Sequence, residues 1–126
     1  MDEKREIESL RELLIKFKQE GKIKVALLYG SCARGASHKK SDIDIALFIS
    51  PGNKEEEMEI IDEILMSAEK DISILRLDNE DESPFVTEEA LKGIHLVEPD
   101  LEILYKVSHR VLHECEEIRF RRSLSG

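Results

Sequence analysis

The sequence predicts an α+β fold: a mixed β-sheet of about four strands with helices packed on it, followed by a long C-terminal helix. Three observations carry that expectation. Two short apolar runs, 25–29 and 45–49, are bounded by turn residues, as buried strands are. A third segment, 71–77, alternates side chains as a strand with two unlike faces does. Around them lie stretches whose apolar residues recur every three or four positions, the period of an amphipathic helix. The resulting order, α-β-β-α-β-α-β-α, calls for helices layered on a sheet.

The first element is a helix over 3–20, where Ile7, Leu10, Leu13, Leu14 and Phe17 fall at helical spacing. Gly21 marks its stop. Residues 23–29 form a buried strand that ends at the turn signal Gly30-Ser31. The small polar residues 31–41 read as a loop with room for one helical turn. Residues 42–49 are the second strand, closed by the turn Ser50-Pro51-Gly52-Asn53. Over 54–69 a helix sets Met58, Ile61, Ile64, Leu65 and Ala68 on one face. Its Glu55-Glu56-Glu57 run sits where the helix dipole favours negative charge.

Residues 71–77 are the third strand, with Ile72, Ile74 and Arg76 opposed to Asp71, Ser73 and Leu75. The acidic stretch 78–82 is a solvated loop. Ser83-Pro84 reads as an N-cap followed by proline at the first helical position, and the helix it opens should stop near Gly93. Residues 94–98 suggest a short fourth strand. Pro99-Asp100 opens the last helix, which runs to about Arg122. Its Leu101, Leu104, Ser108, Val111, Cys115 and Ile118 follow steps of three and four, as on a coiled-coil-like stripe. The first half of that stripe can simply cover the sheet. The second half, ending in Arg119, Arg121 and Arg122, is placed to meet another chain, a partner or a second copy of this one.

A chain of 126 residues has the size of one domain. No repeat, low-complexity tract or Pro/Gly-rich linker divides it. One unit spanning 1–126 is therefore expected, with a core at about 20–98, the N-terminal helix over 3–20 and the C-terminal helix over about 100–122. The composition, 40% apolar and 37% charged, fits a globular protein with a highly charged exterior. No apolar stretch approaches the ~20 residues of a membrane helix. The charged start, Met1-Asp2-Glu3-Lys4-Arg5, does not resemble a secretory signal, so a cytoplasmic location is expected. Two cysteines, Cys32 and Cys115, make neither a disulfide framework nor a zinc motif. The net charge of −9 repels polyanions and argues against general nucleic-acid binding. That charge is uneven. Residues 30–41 hold three cations (Arg34, Lys39 and Lys40) and no acid, whereas 54–89 hold fourteen acids and three cations. The basic segment is where an anion would be met.

Asp42 and Asp44 lie two apart on the second strand, so they share one side while Ile43 and Ile45 share the other. Two carboxylates so placed repel unless a cation lies between them. Hard ions such as Mg²⁺ take oxygen ligands and commonly bind carboxylates together with substrate phosphates. Asp71, at the start of the third strand, could join them, and three acids on neighbouring strands suit a two-metal site. The plain alternative is an exposed edge strand, since acids ordinarily face water. The Gly30-Ser31 step weighs against it. A glycine there lets the backbone turn sharply beside a ligand, and Ser31 offers a hydroxyl and an N–H to phosphate oxygens. Arg34, Lys39 or Lys40 would balance a triphosphate. The segment lacks the spacing and lysine of a Walker A loop.

Gly30-Ser31, ten residues, then Asp42-x-Asp44 is similar to the signature of the DNA polymerase β-type nucleotidyltransferase superfamily. The Ala33-Arg34-Gly35 that follows resembles its minimal nucleotidyltransferase (MNT) branch. The resemblance covers about 20–98 and implies a polymerase β-like core. It implies that Gly30 and Ser31 hold the nucleotide phosphates, that Asp42 and Asp44 bind metal, and that Asp71 is a third acid helping to activate the acceptor hydroxyl. Phosphate contacts are also expected from Arg34 and Lys40. The implied reaction uses Mg²⁺, two ions, and ATP, and moves a nucleoside monophosphate to a hydroxyl with release of pyrophosphate. Family members that modify antibiotics carry an added helical domain, whereas one helix follows the core here. Short chains of this kind resemble the MNT antitoxins, which pair with HEPN-domain RNase toxins and adenylylate a tyrosine on them. A HEPN-type partner is therefore expected. Two other readings stay open: an enzyme for a small molecule such as an aminoglycoside, its pocket completed by dimerisation, and a non-catalytic nucleotide- or partner-binding module.

The remaining candidates have plainer readings. Cys32 lies in the basic loop without a base to activate it. His38 is a loop residue beside Lys39, and His95 stands alone. His109 and His113 are one helical turn apart, but Arg110 stands where the metalloprotease motif needs glutamate.

Overall fold

Alternation along three strands sorts this chain into two layers of helix on one sheet. The computed structural model describes residues 3–30, 43–50, 52–79 and 81–125. Among them are α1 (Glu3–Gln19), β1 (Ile23–Tyr29), β2 (Ile43–Ile49), α2 (Lys54–Leu65), β3 (Ile72–Arg76), α3 (Pro84–Leu91), β4 (Ile94–His95) and α4 (Leu101–Ser125). The order is the expected one. The sheet runs β3-β2-β1-β4. β1 pairs antiparallel with β2 and with β4, and β2 pairs parallel with β3. The parallel pair is joined through α2, since parallel neighbours need a crossover rather than a tight turn.

Ile43, Ile45, Leu47 and Ile49 of β2 point to one face, where they pack with Leu10, Leu14 and Phe17 of α1 and Ile60 and Ile64 of α2. On the other face Val25, Leu27, Ala46 and Leu75 meet Ala90 of α3 and Val107, Val111 and Cys115 of α4. Each Val, Leu, Ile or Phe side chain among them, once fully buried, contributes roughly 1.5–3 kcal/mol. Gly93 links α3 to β4 at a point so close to β1 that a Cβ would run into the Leu28 carbonyl. β4 is only two residues long, shorter than the expected 94–98. The chain nevertheless continues along β1, with Leu96 N–H donating to Ala26 O at 2.8 Å and Asp100 N–H to Lys24 O at 2.9 Å.

Several local expectations are corrected. α2 ends at Leu65, short of the expected 69, so Ala68 lies beyond it; the buried stripe of α2 is Ile60 and Ile64, with Ile61 partly buried, while Met58 and Leu65 are exposed. Ser83 makes no side-chain cap on α3, although Pro84 does open the helix. The true side-chain cap is Asn53, whose Oδ1 accepts from the Glu56 N–H at 2.8 Å at the head of α2. β3 starts at Ile72, one residue after Asp71. α4 extends to Ser125 and buries Val107 besides Val111 and Cys115, whereas Leu101 is exposed. Among the described residues no helix is long and apolar enough to cross a membrane.

Candidate active site

The end of the sheet where β1 leaves and β2 enters carries a row of polar side chains on the α3/α4 side. It is built by register. Antiparallel pairing sets Tyr29 opposite Asp44, and parallel pairing sets Asp44 beside Ser73. Paired residues share a face, so Tyr29, Asp44 and Ser73 run across three strands. Their neighbours Ile43 and Ile45, both 0% exposed, anchor β2 in the opposite layer. The β2–β3 ladder continues to Asp71, whose carbonyl accepts from the Ile43 N–H at 2.9 Å. Two residues before Ser73, exposed Asp71 falls on the same face by alternation.

Gly30 closes the row. Its φ of +75° lies in the left-handed region that glycine adopts without strain. A Cβ at this position would stand 2.6 Å from Asp44 Oδ2. Glycine is thus required twice, by the backbone turn and by the carboxylate beside it.

Among the described residues, the charges acting on Tyr29 are acidic. Burial, then the charges of Asp44 and Glu82, push the Tyr29 phenol above its ordinary value of 10.0. Tyr29, Ser73 and Glu82 were not among the residues expected from sequence. Only the strand register brings the first two to Asp44, and Glu82 arrives from the turn ahead of α3. Arg76 does not offset this charge. Its guanidinium bonds Glu57 at 2.5 Å and Asp78 at 3.0 and 2.8 Å. It pairs in register with Leu47, on the α1/α2 side. Burial works to lower the Arg76 pKa, but the bonds to Asp78 and Glu57 outweigh it and raise the value.

Of the expected site residues, Gly30, Asp44 and Asp71 are described and converge on this end of the sheet. Ser31, Arg34, Lys40 and Asp42 lie outside the described residues, as do Cys32, His38 and Lys39. Among the described residues no group of three or more His, Cys, Asp and Glu side chains is gathered as a metal cage. The carboxylate oxygens of Asp44 and Asp71 are nonetheless the donors a hard divalent cation takes, and such an ion commonly uses one or two carboxylates plus phosphate. Elsewhere, His109 and His113 are exposed on α4. Cys115 is fully buried, and burial first, then Glu88, pushes its thiol above the usual value, so it packs as a small apolar residue.

A strand, a glycine turn and a second strand with its carboxylate beside that glycine make up this end of the sheet. The chain belongs to the polymerase beta nucleotidyltransferase family, whose model matches residues 11–102. No curated protein sequence matches it significantly. Solved structures share the fold. A toxin–antitoxin structure with AMP-PNP superposes with a TM-score of 0.67 at 17% identity, covering 90% of this chain and 93% of the other. The tri-AMPylated Shewanella oneidensis HEPN toxin in complex with its MNT antitoxin gives 0.63 at 14% identity, covering 94% and 93%. The MntA–HepT toxin–antitoxin gives 0.61 at 14% identity, covering 91% and 92%. At these identities the likeness is one of fold.

Proposed function

We propose that the chain is a Mg²⁺-dependent nucleotidyltransferase that moves AMP from ATP to a hydroxyl of a partner protein, acting as the antitoxin of a HEPN-type toxin. The observation that carries it is the Gly30–Asp44 contact: a positive-φ glycine with no room for a Cβ beside a strand carboxylate, inside a chain of this family. The partner assignment draws on the fold likeness to toxin–antitoxin structures, one holding AMP-PNP and one an AMPylated HEPN toxin.

In this reading Gly30 and Ser31 receive the phosphates through backbone N–H groups and the Ser31 hydroxyl, while Arg34 and Lys40 balance their charge. Asp42, Asp44 and Asp71 would hold Mg²⁺, which supplies charge neutralisation on the triphosphate and a lowered pKa at the acceptor hydroxyl. Asp71, exposed at the edge of the row, takes the proton from the acceptor. The acceptor oxygen forms a bond to the α-phosphorus, and the bond from that phosphorus to the pyrophosphate oxygen breaks. Tyr29 stays protonated through neutral pH, as a phenol ordinarily does, and burial, then Asp44 and Glu82, push its pKa further up. It therefore adds no further negative charge where the triphosphate must enter.

The test mixes the protein with α-labelled ATP, Mg²⁺ and either the protein encoded beside its gene or a panel of aminoglycosides. Label on the partner protein, lost with Asp71→Asn while ATP binding persists, supports the antitoxin reading. Label on an aminoglycoside with none on the protein would replace it with a small-molecule enzyme. ATP binding with no transfer to either would leave a binding module.

A further inference from the structure

We infer that Glu6 is a positioning residue for Asp71, stapling α1 to the segment that delivers the third carboxylate; the inference rests on the nucleotidyltransferase reading above. Glu6 heads the buried stripe of α1 that continues through Leu10, Leu14 and Phe17, a place where the helical pattern calls for an apolar side chain. It is only 2% exposed. A carboxylate there is costly unless hydrogen bonds replace its water. Glu6 Oε1 accepts from the Glu69 N–H at 2.7 Å and from the Lys70 N–H at 3.1 Å. Two backbone N–H groups on one side-chain oxygen fix the segment against α1, and a buried donor that lost its acceptor would go unsatisfied.

That segment is the irregular connection 66–71 between α2 and β3. Its first part is tied to α2, with Met66 N–H donating to Asp62 O at 3.0 Å and Ser67 N–H to Ile64 O at 3.1 Å. Its last residue is tied to β2 through the bond from Ile43 N–H to Asp71 O. Between these anchors Glu6 holds Glu69 and Lys70, directly ahead of Asp71. The carboxyl group lies in the α1/α2 layer, and the candidate site lies on the opposite face of the sheet. Glu6 therefore acts through 69–71. Partners that orient a metal ligand in this way are worth about 10–100-fold in activity or metal affinity when lost.

The experiment is a double-mutant cycle read by kinetics and by amide exchange, with Glu6→Gln, Asp71→Asn and the double variant. Glu6→Gln should lower kcat about tenfold, leave KM for ATP unchanged, and add no further loss in the Asp71→Asn background. Amide exchange at 69–72 should quicken while the interiors of β1 and β2 stay protected. Glu6→Asp, which keeps the charge one methylene short, should fall between wild type and Glu6→Gln, and it carries the same comparison should Glu6→Gln fail to fold. An equal loss in both backgrounds, a raised KM with kcat intact, or unchanged exchange at 69–72 would overturn the staple. Wild-type transfer by Asp71→Asn would instead overturn the role of Asp71, and the proposal with it. The exchange result separates these two failures.

Discussion

The two faces of this sheet are made from the same strands and have different tasks. On the α1/α2 face, Ile43, Ile45, Leu47 and Ile49 are at most 3% exposed and pack against aliphatic side chains from both helices. On the α3/α4 face, the same strand offers Asp44, Ala46 and Phe48, and the apolar packing gives way to Tyr29, Asp44 and Ser73 at one end. A strand repeats every two residues, so adjacent positions are assigned to stability and to chemistry in turn. The lesson is that one strand can keep packing on one face and polar chemistry on the other, so that the two can be altered separately.

The comparison breaks most visibly at Asp44. Asp44→Asn should lower Mg²⁺-dependent transfer by more than about a hundredfold, since even partners of a metal ligand cost up to that much. The fold should persist, because the apolar packing of β2 lies on its other face. Ile45→Ala, one residue away, should do the reverse. It should cost about 2–5 kcal/mol of stability by urea unfolding and leave transfer per folded molecule intact.

Gly30→Ala sharpens the boundary between the two tasks. The left-handed backbone costs a non-glycine residue roughly 1–2 kcal/mol, and the new Cβ would press on Asp44 Oδ2. Transfer and ATP affinity should therefore fall further than stability does, as calorimetry and melting can compare.

The smallest effect concerns pH. The Tyr29 pKa is raised in the folded protein above its ordinary 10.0, by burial first and by Asp44 and Glu82 next. The phenol's contribution is thus fully present below about pH 10 and is lost as pH rises through the higher folded value, because the unfolded chain releases the proton first. Tyr29→Phe should flatten this alkaline decline. Urea midpoints at pH 8 and above pH 10 would read the difference.

Much of this was legible in the sequence. The apolar runs 25–29 and 45–49 and the helical periods mark the strands and helices without any structure. The alternation around Asp44 puts the carboxylate and the isoleucines on opposite faces. Tyr29 and Ser73 were hidden because their place depends on register between strands, which no single segment contains. Glu6 was hidden for a different reason. In a charged helix one glutamate looks like another, and only the distant N–H groups of Glu69 and Lys70 explain its burial. The face of α2 was misread because several apolar sets fit a helical period. α2 buries only Ile60 and Ile64, leaving Met58 to solvent. Ser83 has the chemistry of a cap, yet its side chain makes no such bond.

The most direct test sets the two neighbouring residues against each other in one assay. Label transfer from ATP to the partner protein is measured for wild type, Asp44→Asn and Ile45→Ala, each normalised to folded protein at a temperature where all three are native. The account predicts wild-type transfer by Ile45→Ala and a loss beyond about a hundredfold in Asp44→Asn. Full transfer by a folded Asp44→Asn protein would contradict it.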